Sequence, residues 1–151
     1  MAQTETSLML VESISIDAPI AAVFAALTEP DELVQWWGSK DGYQTTTMQA
    51  AMRVGGAWKT SGIKSDGEPF TVGGIYRVVD PPQHLEFTWR HDWGDGDDAT
   101  NDTIVRYDLE ERDGSTKVTV THTNFATEED RDDHAQGWPV VLGWMAAYVT
   151  R

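Results

Sequence analysis

The chain opens on alternation. Leu8 to Ile16 (LMLVESISI) ends with Val11, Ser13 and Ser15 on one face and Ile14 and Ile16 on the other. A period of two predicts a β-strand. The period then lengthens. Ile20, Val23, Phe24 and Leu27 recur at i, i+3, i+4 and i+7, the stripe of an amphipathic helix. Asp17 or Ala18 is placed to cap it, and Pro19 suits its first position. Thr28-Glu29-Pro30 ends it, because the residue before a proline is pushed out of helical geometry. Asp31 to Trp37 predicts a second short helix, with Leu33, Trp36 and Trp37 on its apolar side and Gly38 as its stop.

Strands and tight turns follow. Tyr43 to Met52 is a loosely patterned strand, and Val54-Gly55-Gly56 a turn. Ala57 to Ile63 is a strand ended by Ser65-Asp66-Gly67. Phe70 to Val79 is a strand interrupted by Gly73-Gly74, which predicts a bulge or a close backbone approach. Asp80-Pro81-Pro82 closes it. Leu85, Phe87 and Trp89 alternate with Glu86, Thr88 and Arg90. Thr103 to Glu111 places Val105, Tyr107 and Leu109 on one face, and Asp113-Gly114 is a hairpin turn. Lys117 to Asn124 alternates Val118, Val120, His122 and Asn124 against Thr119, Thr121 and Thr123. Between the fifth and sixth strands, Asp92 to Asp102 is acidic and predicts a solvated loop.

The last segment returns to the helical period. Thr127 with Asp130 three residues later resembles a capping box, and Glu128, Glu129 and Asp130 fill the first turn, where the helix dipole favours negative charge. Trp138, Val141, Leu142, Met145 and Val149 form one apolar stripe. Pro139 removes one backbone bond and predicts a kink at 135–138. The element order is therefore strand, two short helices, about six further antiparallel strands and one long helix. The meander has one apolar face to cover, and the last helix is the only element long enough to cover it.

Composition narrows the function. The 151 residues suit one domain, 1–151, with a substantial core. Cysteine is absent, which excludes disulfides and thiolate chemistry. The start carries no basic region followed by an apolar run, so neither a secretory signal nor a membrane span is expected, and the expected location is cytoplasmic. A formal charge of −14 argues against nucleic acid or an anionic membrane as partner. Nucleophile-elbow, phosphate-loop and dinucleotide motifs are absent. His91-Asp92 beside Trp93 raises metal binding, but the loop acids Asp92, Asp95, Asp97, Asp98 and Asp102 do not follow the calcium-loop pattern, and His84 and His134 lack zinc spacing. Neither a metal nor a cofactor is expected.

"ISIDAPIAAVFAALTEPDELVQWWG" (14–38), "VGGAWK" (54–59), "DPPQHLEFTW" (80–89), "VTVTHTNF" (118–125) and Gly137-Trp138 together resemble the SRPBCC superfamily of START and birch-pollen-allergen-like folds. The branch they resemble is the Aha-type domain, homologous to the activator of the heat-shock chaperone ATPase. The resemblance spans nearly the whole chain in order. It implies an α+β helix-grip fold: a curved antiparallel sheet of about six to seven strands around a long C-terminal helix, with two short helices after strand 1. It also implies an apolar cavity between sheet and helix, with the Trp36-Trp37 turn at its mouth. Fold alone does not select among the carriers, receptors, cyclases and co-chaperones of the superfamily.

Seven tryptophans in a domain of this size suit either an aromatic-lined pocket or a filled core. The residues expected to line a pocket are Trp36, Trp58, Trp89, Tyr107, His122, Trp138 and Leu142. His122 shares the inward phase of Val118 and Val120, so it is either a satisfied core histidine or a group that orients a ligand or moves a proton. Arg77 is a further polar candidate. Three functions stay open: binding of a small hydrophobic or amphipathic molecule by a monomer or homodimer, a cyclase- or hydrolase-like reaction using His122 with Tyr107 or Asn124, and a protein-interaction module acting on a chaperone. Without a recognisable catalytic set, binding leads.

Overall fold

The computed structural model describes residues 8–38, 43–91 and 102–151. Along these residues run β1 (Leu8–Ile16), α1 (Ile20–Thr28), α2 (Pro30–Trp36), β2 (Tyr43–Ala50), β3 (Ala57–Lys64), β4 (Pro69–Asp80), β5 (His84–His91), β6 (Thr103–Arg112), β7 (Ser115–Phe125) and α3 (Glu128–Val149). The strands form one antiparallel sheet in the order β1-β7-β6-β5-β4-β3-β2. From β2 to β7 each strand pairs with the next. β1 pairs with β7, so α1 and α2 carry the chain from one edge of the sheet to the other. This is the helix-grip α+β arrangement that the patterning and the resemblance both predict.

Local chemistry explains the turns. Asp113 and Gly114 have φ of 55° and 84°, the left-handed pair that a two-residue hairpin of matching twist requires. Gly73 and Gly74 mark a close approach. A Cβ on Gly74 would lie 1.8 Å from the Thr88 carbonyl oxygen of β5. The register shift of this strand pair falls further on, between Tyr76 and Val78. The Gly74 gap also lets the Trp58 indole, opposite it on β3, donate to the Thr88 carbonyl at 3.1 Å.

The core lies between the concave face of the sheet and the helices. Inward positions of β6 and β7 alternate as expected: Val105, Tyr107, Leu109, Val118, Val120 and His122 are buried. The α3 stripe Trp138, Val141, Leu142 and Met145 packs over them, and the helix runs unbroken through Pro139. Its cap forms as read: the Asp130 N–H donates to Thr127 Oγ1 at 3.0 Å.

Three expectations are corrected. Helix α1 begins one residue later, with Pro19 as its cap and no side-chain cap bond. Asp17 instead accepts from Ser115 Oγ at 2.5 Å, and the Ile20 N–H donates to Glu111 Oε1 at 2.6 Å. Asn124 does not share the phase of His122. The β1–β7 register shifts between Leu8 and Leu10, Asn124 takes a left-handed φ of 70°, and its side chain turns to the surface. Asp102 is no part of a solvated loop. It is buried, with Oδ1 2.7 Å from Arg90 Nε, while the Asn124 amide donates to its carbonyl at 2.8 Å. The rest of that loop, residues 92–101, lies outside the described residues.

Candidate functional site

Two spaces open beside the tryptophans, of different size. The first is a void of about 30 Å³ on the concave face, among Leu27, Trp58, Tyr76, Phe87 and Tyr107. It has room for a water or two and no more. Rings fill the space around it: Trp58 stands 5.3 Å from Phe87 and 5.2 Å from Trp89, and Phe87 stands 6.0 Å from Tyr107. Burial in this apolar setting pushes the Tyr76 hydroxyl up, since its phenolate would be poorly solvated there.

The second space is a cleft of about 660 Å³ between α3 and the β3–β5 side of the sheet. One wall is helical: His134, Gly137, Trp138, Val141 and Trp144 follow at intervals of three and four, so they share one face of α3. Phe70, Val72 and Trp89 form the sheet wall, with Trp37 between the two. Charged groups line it as well: Asp130 and Asp133 from the first two turns of α3, and Lys64 from the end of β3. Gly137 has no atom within 4 Å of where a Cβ would stand, so part of this wall is bare backbone facing open space.

The adjacent tryptophans divide between core and cleft. Trp36 is the last residue of α2, is 4% exposed, and donates from Nε1 to the Ala26 carbonyl at 2.8 Å. Trp37 follows in extended geometry (φ −79°, ψ 102°), its ring tilted against that of Trp36 at 5.3 Å and reaching beyond it. There its ring meets Trp89 at 5.7 Å and Trp138 edge-on at 6.1 Å. Trp37 lines both spaces and Trp36 neither.

His122 sits where cleft and core meet. Trp138 Nε1 lies 3.0 Å from its Nδ1, and an indole N–H can only donate. His122 Nδ1 therefore accepts, and Nε2 carries the proton that it donates to Thr103 Oγ1 at 2.8 Å. Thr103 Oγ1 donates in turn to the Trp89 carbonyl at 3.3 Å. The relay crosses from α3 through β7 and β6 to β5 and engages both ring nitrogens of a residue that is 1% exposed. A general base needs a lone pair aimed at substrate; here Nδ1 is aimed at an indole. The geometry is that of an alignment pin between helix and sheet.

Of the seven residues expected to line a pocket, Trp89, His122 and Trp138 line the cleft. Trp58 and Tyr107 line only the small void, and Leu142, 2% exposed, packs in the core. Arg77 pairs with Glu86 at 3.4 Å and is half exposed, in a charged network that also joins Arg106, Asp108 and His84. Sequence reasoning missed the charged and polar part of the cleft. The run from Glu128 to Asp133 reads as helix capping and a wet face, and His134 only as a histidine without zinc spacing. The available signal was the second α3 stripe, 130-134-137-141-144. Among the described residues no group of three or more His, Cys, Asp or Glu side chains could hold a metal ion. Asp92 and Trp93, raised as metal neighbours of His91, lie outside the described residues. No described helix is long and apolar enough to cross a membrane.

Comparison with known proteins places this geometry in a lineage. The family model for Activator of Hsp90 ATPase homolog 1-like protein matches residues 17–150. The solved structure of a Chromobacterium violaceum protein superimposes with a TM-score of 0.82 at 22% identity, over 95% of this chain and 98% of that one. A Rhizobium leguminosarum protein gives 0.79 at 20% identity, over 97% and 96%. DynU16, from the dynemicin biosynthetic locus, gives 0.73 at 22% identity, over 94% of this chain and 47% of that one. At these identities the likeness is one of fold. No curated protein matches the chain. The model match covers all but the first strand, and the chain belongs to the family of Activator of Hsp90 ATPase homolog 1-like proteins.

Proposed function

We propose that the chain binds a small, largely apolar molecule without covalent chemistry, in the cleft between α3 and the sheet. The observation that carries this reading is the contrast in size and lining. The interior void of about 30 Å³ excludes any organic ligand, whereas the cleft of about 660 Å³ is walled by Trp37, Trp89, Trp138 and Trp144. Ligand sites run from about 300 to 1,000 Å³ and are mainly apolar with a few placed polar groups. The engagement of His122 within its relay favours binding over proton transfer. The family name offers a second reading, a chaperone-modulating module, and no particular surface among the described residues favours it.

The test is native mass spectrometry of protein purified under mild conditions, then a tryptophan-fluorescence titration with a panel of apolar molecules. Saturable quenching is expected, weakened about tenfold or more in Trp144→Ala, a half-buried wall residue at the margin of the core, with circular dichroism checking that the variant keeps its fold. A clean apo mass with no response across the panel would sink the proposal.

A further inference from the structure

The charges of the cleft say which headgroup its occupant carries. We infer that the cleft selects a cationic ligand, an aromatic or hydrocarbon body bearing one ammonium group, over the anionic amphiphile of the same shape. This rests on the cleft being the ligand site proposed above and adds the chemistry of recognition.

Three observations converge. First, four indoles form the apolar surface: Trp37, Trp89, Trp138 and Trp144. Indole presents the aromatic face that attracts cations most strongly, and an anion gains nothing from it. Second, the charged lining is unequal. The described walls carry the carboxylates of Asp130 and Asp133 against the ammonium of Lys64. His134 Nδ1 lies 2.9 Å from the Asp130 carbonyl and 3.4 Å from its Oδ1, so the Asp130–His134 edge is already oriented as a donor-to-acceptor pair. The dipole at this end of α3 is positive by roughly half a charge, less than the two carboxylates supply. Third, the chain as a whole carries −14, and that field repels fatty acids and acyl phosphates before they reach the cleft while drawing cations in.

The acids and the lysine stand on opposite walls, α3 and β3. An ammonium group would therefore lie toward the first two turns of α3, with the apolar body along Trp138 and Trp144. Lys64 opposes this preference. Asp133 and Lys64 are both exposed, so their substitution leaves the core alone.

The experiment uses three probes with one bicyclic body: naphthylmethylammonium, naphthylmethanol and naphthoate. Affinities come from calorimetry at low salt on the full chain, and contact is located by the indole N–H resonances, those of Trp37, Trp89, Trp138 and Trp144 reporting the cleft. The ammonium probe is expected to bind about tenfold more tightly than the carboxylate, with the alcohol between them. Asp133→Asn should weaken the ammonium probe about threefold, Lys64→Gln should tighten it by a similar factor, and added salt should narrow the spread. Naphthoate binding as tightly as the ammonium, or a response confined to indoles outside the cleft such as Trp36 and Trp58, overturns the inference. Equal binding of all three probes overturns the headgroup selection while leaving the ligand site standing. Binding of none removes both.

Discussion

At the scale of the residue, His122 carries the most consequence. It is the one buried imidazole described, and its partners lie on two other strands and a helix: Trp138 on one side, Thr103 and then the Trp89 carbonyl on the other. Replacing it with phenylalanine keeps a ring but strands the buried Trp138 N–H and takes from the Thr103 hydroxyl the bond it accepts, leaving it only its own bond to the Trp89 carbonyl. Each such loss costs about 1–3 kcal/mol. His122→Phe is therefore expected to lower stability in urea by about 3 kcal/mol, and a variant as stable as the parent would show that the relay is incidental. That His122 faces inward was legible, because β7 alternates cleanly up to it. What it does there was not, since its partners lie 16 and 19 residues away in sequence on other elements. Asp102 shows the opposite failure. It closes a run of acids that reads as solvated, yet Arg90 draws it into the interior across the β5–β6 neck. Pairing of this kind is a property of register, which a local charge pattern does not contain.

At the scale of the element, Gly74 decides whether β3, β4 and β5 can lie as they do. Thr88 leaves no room for a side chain there, and Ile75 N–H also depends on Thr88 Oγ1, at 2.9 Å. Gly74→Ala is expected to cost about 3 kcal/mol or more, because the obstructing atom is backbone and cannot rotate away. Gly143→Ala is the contrast: it is helical, exposed and has nothing within 4 Å of its Cβ position, so the melting temperature should hold or rise. Equal effects of the two substitutions would refute the steric account. Strands, turns and the α3 cap were all readable because each is a local pattern of period or turn chemistry. That Trp36 and Trp37 part, one to the core and one to a wall, follows from their adjacency; which of them meets the cleft was not readable, because helical spacing applies only while the helix lasts, and α2 ends between them. The cleft face of α3 was hidden for a related reason. It mixes Asp130, His134, Gly137 and Trp144, and a search for apolar stripes passes over such a face.

At the scale of the whole molecule, the formal charge of −14 sets the terms. Carboxylates spread over a small surface repel one another more in the compact state than in the expanded one. Sodium chloride should therefore raise the melting temperature at neutral pH, and a flat or falling response would mean that local pairs such as Arg77–Glu86 already cancel the repulsion. The arrangement also separates two jobs along α3. The stripe Trp138, Val141, Leu142 and Met145 holds the helix to the sheet, while Gly137 and Trp144 look into the cleft. Gly137 stands in the helix with open space before it, so a Cβ can be added there without meeting another atom. One codon thus acts as a dial on the capacity of the cleft.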